Sequence, residues 1–304
     1  MQQPANADEA VTGASVQGRP VLRFAPSPNG YLHAGHAYSA LVNARLARRL
    51  GGRLLLRFED IDLTRCRPEF EAAALEDLEW LGLRFDGPPR RQSEHFDAYA
   101  AHIGRLTAMG LTYPCFCSRR QIAAAAGPDG PRDPDGAPLY PGLCRHIPAG
   151  EARRRIAAGE PHALRLDMAA ALRRALPPGG LAMRRLTPAL VTEPVPVDPA
   201  AWGDVVLARK ETPTSYHVSV VVDDALQGVT HVVRGQDLEA ATAVHRLLQQ
   251  LWGLPEPVYF HHRLVRDETG GKLAKSLGSK PLRQLRAEGV AAAELRASLG
   301  FAEP

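Results

Sequence analysis

The stretch between residues 20 and 60 constrains this chain more than any other. PVLRFA at 20–25 reads as a short buried strand. The loop after it, PSPNGYLHAG, is dense in Pro, Gly, Ser and Asn. HAYSALVNARLARRL then sets Ala37, Leu41, Ala44 and Leu50 at helical spacing, and Gly51 and Gly52 end the run. RLLLRFED at 53–60 is almost continuously apolar, as in a strand whose sheet is covered on both faces. Strand, helix and parallel strand form a βαβ unit, which commits the chain to an α/β architecture.

The remaining pattern extends that unit. PEFEAAALEDLEWLGL at 68–83 is an amphipathic helix opened by proline, and 95–110 holds another. The Pro/Gly/Asp-rich run at 127–138 suits neither a helix nor a central strand. Residues 151–200 are poorly patterned, and LRRALPPGGLAMRRLTP within them reads as a loop or variable insertion. DVVLARK at 204–210 and SYHVSVVVDDALQGVTHVVRG at 215–235 read as strand-rich. A helix at 238–252 and a strand at 258–265 follow. The expected organisation is a tail (1–18), the first half of a parallel-sheet domain (19–112) and an insertion (113–200). The second half of the sheet domain (201–260) and a Lys-containing loop with a short helical tail (261–304) complete it.

The net charge of +4 permits a nucleic-acid partner without requiring one. No apolar run approaches the roughly 18–20 residues of a membrane span. The first 18 residues have neither the basic start nor the apolar stretch of a signal or transit peptide, so a cytoplasmic protein is expected. In such a compartment the four cysteines suit metal binding better than a disulfide framework. Of the 37 basic residues only Lys210, Lys272, Lys275 and Lys280 are lysines, and three of them fall within nine positions. Lys is a compact, mobile point charge, so a loop delivering ammonium groups to phosphates is expected there.

Three motifs carry chemistry. His33-Ala34-Gly35-His36 lies where loop meets helix, and a helix N-terminus is a natural phosphate site. Two imidazoles one turn apart can donate to phosphate oxygens as charge develops, and Gly35 admits close backbone approach. Alone, this pattern would suit two surface histidines beside a capping loop equally well. Lys272-Leu273-Ala274-Lys275-Ser276 follows Gly270 and Gly271, and alone could be a solvated basic turn. Cys115-x-Cys117 with Tyr140-x-x-x-Cys144 brings three thiolates into a core-poor segment, which suits tetrahedral zinc. On residue chemistry the fourth ligand would be His146. Cys66 reads as an ordinary thiol.

Taken together, the first two motifs resemble the HIGH and KMSKS signatures of class I aminoacyl-tRNA synthetases. RFAPSPNGYLHAGH, GGRLLLRFEDID and YHVSVVVDDALQGVTHVVRGQDL resemble the catalytic domain of glutamyl-tRNA synthetases, over residues 20–280. The resemblance implies a Rossmann-like fold and places glutamate against Arg23, Phe24, Ala25, Pro26, Ser27, Glu59, Tyr216 and Arg234. Arg23 would bind a carboxylate and Glu59 the ammonium group. It puts ATP, with Mg²⁺, against His33, Gly35, His36 and Lys275, with Lys272 in the same loop. His33, His36, Lys272 and Lys275 would be the catalytic set. His217 stands where the family usually has Gln or Asn. For the zinc site, one structural ion, the resemblance favours Tyr140 as fourth ligand over His146.

Only a short segment follows Ser276, so an anticodon-binding domain is not expected. The chain is therefore similar to the stand-alone glutamyl-queuosine tRNA(Asp) synthetases. That likeness implies a monomeric enzyme that activates glutamate without tRNA and esterifies it to the queuosine base of tRNA(Asp). The rival expectations are a synthetase charging the tRNA 3′ end and a non-catalytic regulatory paralogue. The intact His33, His36 and Lys275 count against the second.

Overall fold

The computed structural model of the chain describes residues 18–265 and 280–303. Strand β1 (Val21–Phe24), helix α1 (Ala34–Arg49) and strand β2 (Arg53–Phe58) form the βαβ unit expected from sequence. Helix α2 (Pro68–Trp80), the two-residue strand β3 (Arg90–Arg91) and helix α3 (Phe96–Ala108) follow. The chain then leaves the main sheet through strand β4 (Thr112–Cys115), helices α4 (Arg119–Ala126) and α5 (Ala149–Ala157), strand β5 (Ala163–Leu166) and helix α6 (Met168–Ala175). Strands β6 (Leu181–Leu186), β7 (Thr192–Val197) and β8 (Val206–Ala208) come next. Helix α7 (Tyr216–Leu226), strand β9 (His231–Gly235), helix α8 (Thr242–Trp252) and strand β10 (Val258–His262) complete the central body. Helices α9 (Leu282–Ala287) and α10 (Ala292–Ser298) close the described chain.

The main sheet has the order β3-β2-β1-β9-β10-β6-β7. Every pairing in it is parallel except the hairpin edge β6–β7. Strands β4, β5 and β8 make a separate antiparallel sheet, the frame of the inserted module. From β1 the chain builds outward through β2 on one side and returns through β9 and β10 on the other. The boundary between β1 and β9 is therefore the topological switch point, where open α/β sheets collect ligands at the carboxyl ends of their strands.

Apolar residues cover both faces of the sheet. Leu41 and Leu78 sit in one core with Leu282, Leu299 and Phe301 of the C-terminal segment. Tyr99, Val218, Val222 and Leu247 belong to the other. Among the described residues, no helix is long and apolar enough to cross a membrane.

Two local expectations need correction. The run HVSVVVDDAL is a helix, α7, not a strand. Val218, Val220, Val221 and Val222 are all buried in it. Valine costs up to about 0.7 kcal/mol of helix propensity per residue. Full burial of its side chain contributes roughly 1.5–3 kcal/mol, so packing decides. Secondly, Leu181–Leu186 and Thr192–Val197, within the stretch expected to be loop or insertion, extend the main sheet as β6 and β7. The buried residues Leu181, Met183 and Leu186 do not keep a strict period of two, and a Pro-Pro-Gly-Gly turn precedes them, so the strand was hidden in sequence.

Candidate active site

His33 caps the N-terminus of α1. Its Nδ1 accepts from the Gly35 backbone N–H at 3.1 Å, and His36 Nδ1 accepts from the His33 N–H at 3.2 Å. Each Nδ1 is thus an acceptor, which puts the proton of each neutral ring on Nε2. The ring centroids lie 4.0 Å apart. Burial lowers the His33 pKa, and burial followed by the His33 charge takes His36 down to about 3. Two neutral imidazoles therefore offer Nε2–H donors at a helix N-terminus, a fit for phosphate oxygens. A Cβ at Gly35 would lie 2.9 Å from the His33 ring, so a larger residue there would push the capping imidazole aside.

Lys272, Lys275 and Ser276 lie outside the described residues. The chain on either side of them borders α1. Before them, His262 Nε2 pairs with Ser39 Oγ at 3.0 Å and the Arg263 guanidinium lies 4.8 Å from the Tyr38 ring centre. After them, Pro281 bridges His33 and the Leu282 N–H donates to the Leu32 carbonyl at 2.7 Å.

At the switch point, Arg23 projects from β1 and Arg234 from β9, both buried. Arg23 Nε donates to Asp224 Oδ1 at 2.9 Å, and Arg57 Nη1 donates to the same oxygen at 2.8 Å. Glu59, just beyond β2, lies 3.3 Å from Arg57 Nη2. Burial raises the Glu59 pKa despite the opposing charges of Arg57 and Arg23. The Glu59 N–H donates to the Pro26 carbonyl at 3.0 Å, which holds the Ala25–Ser27 loop against the end of β2. Phe24 is buried beneath that loop, and Ser27 Oγ approaches the Cys66 thiol at 3.9 Å. Burial pushes the Cys66 thiol up, as for an unreactive cysteine.

Arg234 is caged on four sides. Nη1 donates to Tyr216 Oη at 3.1 Å and to His245 Nδ1 at 3.2 Å. Nη2 donates to Thr242 Oγ1 at 2.7 Å and Nε to His261 Nε2 at 3.3 Å. One N–H of its five remains for a ligand. Burial, and then Arg234, lowers the pKa values of His261 to about 3 and of His245 well below the ordinary value. Burial raises the pKa of the Tyr216 hydroxyl, and the charges of Arg234, Glu59, Arg23 and Asp224 all act on it, which places these groups around one site. Three guanidinium groups there face two carboxylates, Asp224 and Glu59. The surplus is positive, which suits an amino acid with a second carboxylate.

Asp224, Arg57, Thr242, His245 and His261 are site residues that the sequence reading missed. The available signals were two adjacent acids in the apolar run VVVDDAL and an arginine inside RLLLRFED. Buried charges of that kind need partners. His217 sits beside His245, with Nδ1 3.2 Å from His245 Nε2.

The cysteine cluster lies in the inserted module. Cys115 ends β4, and the Sγ atoms of Cys115, Cys117 and Cys144 fall within 4.8 Å of one another. Tyr140 Oη is 3.4 Å from Cys115 Sγ and 3.8 Å from Cys117 Sγ. A zinc tetrahedron with the usual bond lengths has edges of about 3.5–3.8 Å, close to these two contacts and to the 3.4 Å between the Cys117 and Cys144 Sγ atoms. His146 is exposed and stands outside the cluster. Burial raises the Cys117 thiol to about 11, reinforced by Cys144. The Cys115 thiol is held below its ordinary value because Tyr140 and Arg165 outweigh its burial.

Comparison with known proteins identifies the family. Residues 21–299 match the family described as tRNA synthetases class I (E and Q), catalytic domain. The chain is 46% identical to a glutamyl-Q tRNA(Asp) synthetase of Rhodobacter capsulatus, an alignment covering 92% of this chain and 100% of that protein. It is 42% identical to the protein of the same name from Symbiobacterium thermophilum, over 88% of this chain and 81% of the relative. Among solved structures, a glutamate tRNA ligase from Elizabethkingia meningosepticum in complex with its amino acid superposes with a TM-score of 0.69 at 26% identity. That match covers 90% of this chain and 53% of the ligase, so the chain spans about half the ligase's length.

Proposed function

The chain belongs to the class I tRNA synthetases of the glutamate and glutamine group, alongside the glutamyl-Q tRNA(Asp) synthetases, and on that basis we propose that it activates glutamate with ATP and transfers it to the queuosine base in the anticodon of tRNA(Asp). The alignment with the Rhodobacter protein, which runs the full length of that relative, carries this reading.

In the first step an oxygen of the glutamate α-carboxylate attacks the α-phosphorus of ATP, and pyrophosphate departs. In the second, a hydroxyl of the queuosine cyclopentenediol attacks the carbonyl of the glutamyl-adenylate, and AMP departs. Neither step needs a covalent nucleophile on the protein, so positioning and charge stabilisation supply the acceleration. Arg23 presents its unused N–H groups and Arg234 its single one to the substrate carboxylate. Glu59 takes the ammonium group, whose arrival offsets the burial of its carboxylate. His33 and His36 donate from Nε2 to ATP phosphates, and Lys272 and Lys275 serve the same phosphates. ATP enters as its magnesium complex. Cys115, Cys117, Cys144 and Tyr140 would hold one zinc ion, which would brace the inserted module.

The test uses radiolabelled glutamate and ATP. Pyrophosphate exchange should proceed without tRNA. Added tRNA(Asp) should then take up label only when it carries queuosine, and nuclease digestion should release that label with the anticodon fragment. Label on the 3′-terminal fragment would instead assign the chain to ordinary charging of the tRNA end.

A further inference from the structure

A cavity of about 630 Å³ opens between the inserted module and the first turn of α7. Its lining includes Tyr140, Arg165 and Arg209 on one side and Trp202, Tyr216 and His217 on the other. Arg23, Glu59 and Arg234 do not line it, so it is a compartment beside the glutamate site. The two share a wall at Tyr216, whose hydroxyl accepts from Arg234. Pockets of roughly 300–1,000 Å³ hold ligands well above amino-acid size. An aromatic wall suits a nucleoside base, and the polar lining mixes Arg119, Arg165 and Arg209 with the acids Asp133, Asp135 and Asp204.

The hydrogen bonds running from Arg234 to this cavity have only one possible direction. A guanidinium group only donates, so His245 Nδ1, 3.2 Å from Arg234 Nη1, carries no proton. The proton of that ring is then on Nε2, which faces His217 Nδ1 at 3.2 Å. His217 Nδ1 must therefore accept, and the His217 proton is on Nε2. A second proton on either ring would set two N–H groups against each other. His217 Nε2 has no hydrogen-bond partner among the described residues and is not sealed from solvent. Trp202 packs edge-on against the ring at 5.5 Å between centroids and fixes its plane.

We propose that His217 is a specificity-determining donor of this cavity, presenting Nε2–H to an oxygen of the incoming modified nucleoside, and that His245 is the positioning residue that fixes this donor from Arg234. The inference rests on the proposed queuosine acceptor. It also makes the departure at position 217 intelligible: a glutamine at either relay position could accept with its carbonyl and donate with its amide, as a neutral imidazole does here.

Two measurements on the full chain test it. In protein carrying ¹⁵N-labelled histidine, two-bond ¹H–¹⁵N correlation spectra report the tautomer of each ring. His217 and His245 should both be Nε2–H, and free queuosine nucleoside should shift the His217 Nε2 signal more than glutamate does. A proton on His217 Nδ1, or no response of His217 to the nucleoside, overturns the proposal. In kinetics, His217→Leu should raise the KM for queuosine-bearing tRNA(Asp) by about tenfold, the loss of one hydrogen bond. The glutamate KM in pyrophosphate exchange should rise less, and His217→Gln should recover most of the tRNA affinity. Equal losses in both assays, or no recovery with Gln, also overturn it. Wild-type protein that loads no queuosine-bearing tRNA would fault the proposed function and the nucleoside assignment with it, whereas the spectra decide the relay in either case.

Discussion

At the scale of single residues, the site is organised by which N–H groups are already engaged. Arg234 spends four of its donors on Tyr216, Thr242, His245 and His261, whereas Arg23 commits Nε to Asp224 and makes a long contact from Nη1 to the Val233 carbonyl at 3.4 Å. Arg23 therefore keeps a free edge on which the proposed carboxylate contact can form, whereas Arg234 is largely committed to holding the pocket wall. Both alanine variants should raise the glutamate KM, by about ten- to hundredfold, as expected for charge-assisted hydrogen bonds. The ATP KM should change far less. Arg234→Ala should in addition lower the melting temperature, because it strips Thr242, His245 and His261 of a shared donor. Steady-state pyrophosphate exchange and a melting curve measure all three effects, and equal losses for glutamate and ATP would remove the carboxylate role. Resemblance to the family offered Arg23, Glu59, Tyr216 and Arg234 as candidates. It could not name Asp224, because its contacts with Arg23 and Arg57 span 201 and 167 residues of chain. Local periodicity contains no trace of such pairs.

At the scale of elements, legibility followed burial. In helix α1 the apolar positions are buried and the arginines Arg45, Arg48 and Arg49 exposed, and strand β2 is buried over most of its length, so their patterns matched their structures. Helix α7 is buried on nearly all sides, and the periodicity of its valine run cannot then separate helix from strand. Its two acids were the better clue. Asp223 accepts from Arg90, Gln92 and Tyr99 while Asp224 accepts from Arg23 and Arg57. Adjacent acids thus serve two separate clusters. The inserted module was legible through its cysteines rather than its periodicity, since a short antiparallel sheet and the turn at 127–138 offer little core. We expect one zinc ion per chain in protein purified without chelator, measured by elemental analysis. Tyr140→Phe removes an oxygen lying 3.4 Å from Cys115 Sγ and should weaken zinc binding. His146→Ala alters an exposed side chain outside the cluster and should change it little. Competition with a chromophoric chelator ranks the two variants. The reverse order would hand the fourth position to His146.

At the scale of the whole molecule, the histidines set how stability responds to acid. Seven of the eleven, His33, His36, His217, His231, His245, His261 and His262, have pKa values lowered in the folded chain, in each case first by burial. His217 falls to about 4 and His36 and His261 to about 3. His245 is the most enclosed of the pocket group, facing Arg234, His217, Arg23 and His261. An unfolded chain would bind protons on these rings near pH 6.5, while the folded chain stays neutral there. The unfolded state then holds more protons, so stability is greatest above about pH 6.5 and is lost as pH falls toward the folded values. Two carboxyls oppose this trend. Burial raises Asp77 to about 6 and lifts Glu59 as well, so acidification relieves a cost at those positions. They are outnumbered. The melting temperature should accordingly be highest at or above pH 7 and fall by several degrees by pH 5. Acid also protonates zinc-binding thiolates, so metal content should be followed in the same series. The histidine effect requires a decline that begins near pH 6.5 while zinc is still bound. A melting temperature that stays level between pH 7 and 5, or that drops only when zinc leaves, would show that these rings are not held neutral in the fold.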